Sequence, residues 1–396
     1  MTTAHPLPEP ALATGEDPRE FAQVLHAMHD AAMAGQRLPA RPRSVIGQSW
    51  ARVAHAGVDP DIGGPIDPIA AADLTERRAA SGLGFLLDDL TRGLDAVLRD
   101  SPNILVVADA KGHVLWRAGT TAVRRRADGL GFVEGASWAE NAVGTNAIGT
   151  ALTAGQAVQV FSAEHYVRSH HAWTCTGAPI RDPRSSGMLG VVDVSGPASS
   201  IHPATIALVD SVARLAEARL QNVHRDQLDM LRSVAAPILA RAGRPALAVD
   251  EFGWVAAVDR VEPRRRIVLP SDLAPSRVLV SGLGLCDVEP LPGGWLVRPA
   301  DAAEREGTTV TIGDVVTVTS GDGVWTHNPS PRHRDLLTLL ARNRGGLSAA
   351  ELAGELFGDP ARTVTVRAEM SRLRKTFGGL LATAPYRFAK EVTVSR

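Results

Sequence analysis

The stretch FVEGASWAENAVGTNAIGTALTAG, at Phe132–Gly155, places glycines, small polar residues and a tryptophan close together. Gly144 and Gly149 allow the backbone to turn sharply or to approach another segment closely. Asn146 and Thr150 are suited to capping a helix or to lining a pocket. Two interpretations of this stretch therefore stay open: a structural junction between a loop and a helix, or the wall of a ligand pocket.

Apolar runs on both sides of this stretch predict short β-strands. The runs Ile104–Ala108 and His113–Arg117 flank a polar turn and predict a hairpin. Three more strands are predicted at Ala157–Phe161, Thr174–Ile180 and Met188–Ser195. The predicted fold class is α+β, with an antiparallel sheet flanked by helices.

Helical periodicity surrounds the predicted strands. It spans Pro18–Gly57 and about Pro68–Arg99, and it returns from Pro203 to about Leu239. The last of these helices has apolar residues at a three–four spacing, which suits either the seam of a homodimer or packing on its own domain.

The region from residue 245 to 320 is predicted to be a separate β-rich block, because short apolar runs alternate there with glycine and proline. The predicted strands are Ala246–Val249, Trp254–Val258, Arg277–Val280, Trp295–Val297 and Val315–Val318. The segment GDGVWTHNPSP that follows, at Gly321–Pro331, is predicted to be a linker.

Residues 331–396 predict three helices followed by a hairpin. Ser348 and Glu351 have the spacing of a capping box at the start of the second helix. The third helix, from about Thr363 to Phe377, has an apolar face and an opposite face rich in arginine, serine and threonine. The first helix is predicted at His333–Asn343, and the extended runs of the hairpin at Leu380–Ala382 and Tyr386–Phe388.

The polar face of the third helix is predicted to bind double-stranded DNA, because arginine and small hydroxyl side chains can contact base edges and phosphates in a major groove. From Pro331 onward the sequence has 12 Arg and Lys against 6 Asp and Glu, although the net charge of the whole chain is −1. Two alternatives stay open: a solvated basic face, and a scaffold module whose C-terminal helices contact a protein. The predicted DNA contacts are Thr365, Arg367, Ser371, Arg372, Arg374, Lys375 and Arg387.

Two C-terminal stretches resemble the response-regulator (OmpR-like) winged-helix domains. TVTVRAEMSRLRKTF, at 363–377, resembles their recognition helix, and TAPYRF, at 383–388, resembles the wing that follows it. The resemblance implies a winged helix-turn-helix over residues 331–396, with the basic helix in the major groove.

Several separated motifs resemble the GAF sensor domain of acetoin-catabolism-type activators, the bacterial enhancer-binding regulators. Beside the opening stretch they are EHYVRSHHAWTCTGAPI at 164–180, MLGVVDVSG at 188–196 and RPRSVIGQSWARVAHAGVDPD at Arg41–Asp61, and together they cover about residues 40–220. The resemblance implies a pocket between the sheet and its helices that binds an unknown small-molecule effector. The predicted lining residues are Trp138, Glu140, Asn146, Ile148, Thr150, Val160 and Trp173.

The resemblance to those activators ends after about residue 220, where they continue into an ATPase domain. A Walker A loop needs a lysine directly after a glycine, and none of the three lysines in this sequence follows one. We therefore predict a transcription regulator that acts on RNA polymerase by recruitment or occlusion, without ATP hydrolysis.

Histidine and cysteine side chains cluster in the segment EHYVRSHHAWTC. Glu164 and His165 are expected to pair within the fold, and Cys175 to be a small buried apolar side chain. A metal or haem site formed by His165, His170 and Cys175 is the alternative, although the spacing fits no tetrahedral zinc pattern. A catalytic Cys–His pair is a further alternative. The favoured interpretation has no cofactor and no catalytic centre, because nothing resembles a nucleophile elbow or an oxyanion loop.

The sequence as a whole favours a cytoplasmic one-component regulator. It has two cysteines and no disulfide framework, no signal-peptide pattern, and no apolar run of about 18 residues that would span a membrane. The predicted division of the chain is a flexible tail at 1–18, a helical region at 19–100, a GAF domain at 101–222, a connecting helix at 223–243, a β-rich domain at 244–320 and a winged helix at 331–396.

Overall fold

The computed structural model describes residues 8–62, 68–99, 101–270, 273, 275–300, 307–320 and 323–395. The chain divides into two compact units, Met1–Asn222 and Val223–Arg396. Both units combine helices with sheets that are almost wholly antiparallel. In the described part of the chain, no helix is both long enough and apolar enough to cross a membrane.

The N-terminal unit contains one five-stranded antiparallel sheet. Its strands are β1 (Ile104–Asp109), β2 (Val114–Gly119), β3 (Val158–Phe161), β4 (Trp173–Arg181) and β5 (Met188–Pro197). They lie in the order β2-β1-β5-β4-β3, so the first and last strands of the unit meet in the central pair β1 and β5. The hairpin and the three further strands that the sequence predicts here are confirmed within one or two residues at each end.

Helices cover both faces of this sheet, and side chains from each strand are buried alternately on the two faces. In β1, Val106 packs on the side that carries α2, while Leu105 and Val107 pack on the side that carries α4. The helices of this unit are α1 (Pro18–Met33), α2 (Ser44–His55), α3 (Ala71–Ala80), α4 (Leu87–Leu98), α5 (Thr121–Asp128), α6 (Glu140–Val143) and α7 (Ala147–Ala154), and α8 (Ala204–Ala242) begins in it.

Two predicted long helices are each broken in the structure. The helix predicted at Pro18–Gly57 is two helices, because Pro39 and Pro42 lie in the intervening segment and cannot donate the backbone hydrogen bonds of a helix interior. The helix predicted at Pro68–Arg99 is interrupted at Gly82, whose φ of 69° lies in the left-handed region. The helix predicted from Pro203 is confirmed, and it continues three residues past Leu239.

The C-terminal unit contains a second five-stranded antiparallel sheet, here called the middle sheet. Its strands are β6 (Ala246–Val249), β7 (Val255–Asp259), β8 (Ser276–Val280), β9 (Gly284–Leu291) and β10 (Gly294–Pro299), in the order β7-β6-β10-β9-β8. Four of these strands match predictions, and β9 was not predicted.

A four-stranded sheet follows, formed by β11 (Thr308–Ile312), β12 (Val316–Ser320), β13 (Gly323–His327) and the last strand, β16 (Val392–Ser395). The predicted linker is therefore wrong over Gly323–His327. Trp325 pairs with Val318 in the sheet, and its ring packs edge-on against Phe377 at a centroid distance of 5.6 Å. Because β11 pairs with β16, the predicted β-rich block at 244–320 contains strands of two different sheets.

Three helices and a hairpin complete the C-terminal unit: α9 (Pro331–Arg342), α10 (Ala349–Phe357), α11 (Thr363–Phe377), β14 (Leu381–Thr383) and β15 (Tyr386–Phe388). The predicted capping box is confirmed, since Ser348 accepts from the Glu351 amide and Glu351 accepts from the Ser348 amide. The predicted bounds of α11 are also confirmed. Its apolar face, formed by Val366, Met370, Leu373 and Phe377, is fully buried.

Candidate functional site

The glycine- and asparagine-rich stretch folds into the short helix α6, a loop and the helix α7. Asn146 caps α7, because its Oδ1 accepts from the Gly149 amide at 2.9 Å. Its Nδ2 donates to the carbonyl oxygens of Trp138 at 3.0 Å and Gly144 at 2.8 Å. A side chain at Gly149 would place a Cβ only 2.5 Å from the Glu140 amide nitrogen, so α7 can approach α6 only with glycine there. These contacts support the junction interpretation for Asn146.

The Glu140 carboxylate, which is 8% exposed, is bound by two side chains of α2. Arg52 donates to both of its oxygens at 2.8 Å, and the Ser49 hydroxyl donates at 2.6 Å. Hydrogen bonding to Glu140 raises the pKa of Arg52. The Ser49 Oγ also lies 2.7 Å from the Thr145 hydroxyl and 3.3 Å from the Thr150 hydroxyl. Glu140 and Thr150 therefore already have partners within the protein.

Glu164 is bound in the same way as Glu140, by an arginine that donates to both carboxylate oxygens. Arg43 donates to its two carboxylate oxygens at 2.8 and 2.7 Å, and the Phe161 amide donates to it at 2.9 Å. The Trp50 indole donates to the Glu164 carbonyl oxygen at 2.8 Å. The structure therefore pairs Glu164 with Arg43 and not with the adjacent His165. Glu140 and Glu164 therefore both hold the segment that contains α2 against the rest of the N-terminal unit.

The apolar residues predicted to line a pocket come together in the structure. Trp138, Ile148, Val160 and Trp173 are each at most 3% exposed and belong to one cluster between the sheet and its helices. This part of the predicted lining is thus contiguous. The predicted polar members Glu140, Asn146 and Thr150 are also buried, and their hydrogen bonds are made to protein groups.

Three buried polar atoms beside this cluster have no hydrogen-bond partner among the described residues: Trp138 Nε1, His170 Nδ1 and Asp193 Oδ1. The rings of Trp138 and His170 are 5.1 Å apart. Asp193 lies on the same face of the sheet, and its other oxygen accepts from the Ser195 hydroxyl at 2.5 Å. Burial raises the pKa of Asp193 to about 7. An unsatisfied buried polar atom is unfavourable by roughly 1–3 kcal/mol, so each of these three atoms lacks a partner that it would gain from a bound polar group.

The histidine and cysteine cluster is neutral. Burial lowers the pKa of His165 to about 3 and that of His170 to about 4, and it raises the pKa of the Cys175 thiol. His165 Nδ1 lies 2.9 Å from the Ser162 carbonyl oxygen, so it carries the proton, and Nε2 accepts from the Cys175 Sγ at 3.4 Å. In the described ranges, no three His, Cys, Asp or Glu side chains are grouped as metal ligands.

The polar face of α11 is open to solvent. Arg372 donates to Glu369 at 2.9 Å, Arg374 donates to the Leu381 carbonyl oxygen at 3.3 Å, and Arg387 on β15 is half-buried with its Nε unpartnered among the described residues. The predicted DNA contacts on α11 that are exposed are Thr365, Arg367, Ser371, Arg372, Arg374 and Lys375.

Sequence comparisons relate the chain to transcription regulators. Residues 31–218 match the family described as "MimR, N-terminal domain". A 47.3 kDa protein in the thcA 5′ region of Rhodococcus erythropolis is 30% identical over 391 residues, which is 97% of this chain and 73% of that protein.

Two activators with named operons are similar over the N-terminal unit. The acetoin dehydrogenase operon transcriptional activator AcoR of Bacillus subtilis is 34% identical over 190 residues, which is 48% of this chain and 31% of that protein. The propane 2-monooxygenase operon transcriptional activator MimR of Mycolicibacterium goodii is 37% identical over 130 residues, which is 33% of this chain and 22% of that protein. The chain thus spans less than a third of the length of either activator.

Proposed function

This chain belongs to the family of the 47.3 kDa Rhodococcus protein, and we propose that it is a one-component transcription regulator. In this proposal a GAF domain within the N-terminal unit senses a small molecule. A C-terminal winged helix, formed by α9–α11 and the β14–β15 hairpin, binds double-stranded DNA and acts on RNA polymerase without ATP hydrolysis. The chain is a regulator and not an enzyme.

The observation that carries the proposal is the division of α11 into two faces. One face is fully buried in the core of the C-terminal unit, and the other presents arginine, lysine, serine and threonine to solvent. Such a polar face can enter a major groove, where guanidinium groups pair with guanine edges and phosphates. The surplus of basic residues after Pro331 supports the same proposal, because phosphate neutralisation supplies much of the affinity for DNA.

For the effector site we propose the interior beside Trp138, His170 and Asp193. The predicted polar anchors Glu140, Asn146 and Thr150 are bound to protein groups, and we assign them the role of positioning the pocket wall. The three unpartnered atoms offer at least one donor, the Trp138 indole, and one acceptor, the Asp193 carboxyl. A small organic molecule with both a hydrogen-bond acceptor and a donor fits this set.

The proposal includes a homodimer that pairs through α8. Leu215 on this helix is 63% exposed, although the neighbouring Val212 and Ala216 are buried in the core of the N-terminal unit. An exposed leucine beside a buried stripe is suited to a helix–helix seam.

The experiment that tests the proposal is the selection of fragments from the genome of the source organism by the purified full-length protein. We expect discrete sites to be enriched in moderate salt, and less so as the salt concentration rises. A protein that enriches no fragment at any salt concentration, but captures a protein partner, would support the scaffold alternative instead.

A further inference from the structure

A concave surface in the C-terminal unit joins the middle sheet to the proposed DNA-binding helix. Its cavity has a volume of about 500 Å³. Arg264 enters it from the segment between β7 and β8, and Arg367, Arg374 and Lys375 enter it from α11. These four residues are here called the basic surface.

The backbone fixes the two parts of this surface against each other. The Ser281 hydroxyl, in the turn between β8 and β9, donates to the Lys375 carbonyl oxygen near the end of α11. Gly378, directly after α11, lies so close to the Gly284 backbone that no side chain would fit there. Arg264 lies against the same turn, with its Nη1 3.1 Å from where a Cβ on Gly282 would be. Arg264 therefore lies against the turn whose backbone is packed on the end of α11.

The basic surface carries four positive charges, and Glu262 is the one carboxylate among the described lining residues. Across the part of the chain that the structure describes, the guanidinium groups of Arg264 and Arg367 make no ion pair. Unpaired like charges held in one concavity repel each other, and a bound anion relieves that repulsion. The basic surface is thus suited to binding an anion along the polar face of α11.

We propose that the basic surface binds the DNA backbone, with Arg264 of the middle sheet as a phosphate contact beside the groove contacts of α11. This inference rests on the proposed function and extends it, because it makes the middle sheet part of the DNA-binding surface. A guanidinium group matches the geometry of a phosphate and can bind it with two hydrogen bonds. Contacts of this kind set the position of a protein on the duplex.

The test compares Arg264→Ala with Arg265→Ala in the full-length protein, on a fluorescent duplex that contains a selected site. Arg265 is the matched control, because it is exposed and does not line the cavity. Its substitution by alanine removes the same charge. We expect R264A to weaken binding about tenfold and to lower the slope of log K against log salt by about one. The affinity of R265A for the duplex should stay within about twofold of the wild-type affinity. That change is much smaller than the change expected from loss of one phosphate contact. Circular dichroism and the thermal midpoint of R264A should equal those of the wild-type protein.

The outcomes separate the inference from the proposed function. If the wild-type protein binds the duplex and R264A binds it with equal affinity and equal slope, Arg264 is not a phosphate contact. If R264A binds more tightly, the middle sheet shields α11 and the inference is wrong. If the wild-type protein binds no DNA at any salt concentration, the proposed function itself fails.

Discussion

The Arg52 guanidinium donates to both carboxylate oxygens of Glu140 at 2.8 Å, and so links α2 to the start of α6 across 88 residues of sequence. The pair is asymmetric, because the Arg52 side chain is 38% exposed while the Glu140 side chain is 8% exposed. Loss of the arginine would leave a buried carboxylate without its main charged partner. This ion pair ties α2 to the wall of the proposed effector pocket.

Arg52→Ala is expected to lower the free energy of unfolding by roughly 1–3 kcal/mol, less than for a fully buried pair because water screens the exposed guanidinium. Arg92→Ala is the matched control, since Arg92 forms a surface ion pair with Asp89 and is 75% exposed. Its effect should stay within about 0.5 kcal/mol. Urea unfolding followed by tryptophan fluorescence compares the two, and equal effects would show that the ion pair of Arg52 with Glu140 is not stabilising.

Asp193→Asn is expected to change how stability depends on pH. Burial raises the pKa of Asp193 to about 7, above its value of 3.8 in an unfolded chain. The folded state therefore holds a proton that the unfolded state releases, and the stability that this provides is present below about pH 4 and is lost as the pH rises from about 4 to about 7.

The N-terminal unit of the Asn variant should gain stability relative to the wild type as the pH rises from 5 to 8. Thermal midpoints at those two pH values measure the effect as a difference between variants. The opposite pH dependence of His165 and His170 is common to both proteins and cancels. A constant difference between the variants from pH 5 to pH 8 would show that Asp193 is already ionised at pH 5.

Trp138→Phe is expected to weaken effector binding about tenfold. The variant keeps an aromatic side chain at this position but loses the unpartnered indole N–H. A correct effector, found by thermal-shift screening of metabolites, should stabilise the wild-type domain by about 2.7 kcal/mol at a hundred times its dissociation constant. This shift should persist in a chelator. The control Trp116→Phe changes a half-buried tryptophan on β2 and should leave affinity unchanged. If the protein instead purifies with stoichiometric haem or metal and needs it to fold, the alternative of a metal or haem site at His165, His170 and Cys175 is supported.

Leu215→Glu is expected to convert a dimer to a monomer in sedimentation of the full-length protein, because it places a charge in the proposed seam. Truncation before α8 is a poor test, because Ile206 and Val209 of this helix are buried in the core and their removal would expose it. Gln221→Glu is the control, since Gln221 is exposed on the same helix and the change adds the same charge. It lies roughly a third of a turn around the helix from Leu215, so it should sediment like the wild-type protein. If all three proteins sediment identically, α8 does not form the dimer seam.

Local sequence predicts most strands but misses β9, β11, β13 and β16. For β9 the reason is physical. Strand β9 contains Asp287 and Glu289, which weaken the apolar pattern on which strand prediction depends. In the structure each charge is paired across the sheet, Asp287 with Arg277 at 2.8 Å and Glu289 with Arg298. Cross-strand partners of this kind are invisible in a single window of sequence.

The candidate site was predictable only in part. Trp138 and Trp173 are predicted as lining residues because they are large apolar side chains and the resemblance to a GAF domain implies a pocket between the sheet and its helices. The sequence predicts no partner for Glu140, and the predicted pairing of Glu164 with His165 is wrong. The partners in the structure, Arg52 and Arg43, are 88 and 121 residues away in the sequence. Asn146 is a predicted ligand contact, but side chains of this type often bond to nearby backbone, and Asn146 binds the Gly149 amide.

DNA binding by α11 is tested by the affinity of a variant in which Arg367, Arg372 and Arg374 are all changed to alanine. All three lie off the buried face of the helix, so the variant should keep the fold of the wild-type protein. A triple change of Arg92, Arg99 and Arg124, which are exposed in the N-terminal unit, removes the same charge and is the control. In a binding titration on the selected duplex at moderate salt, we expect the α11 variant to lose all measurable affinity and the control to retain it. Wild-type affinity in the folded α11 variant would show that α11 does not bind the DNA.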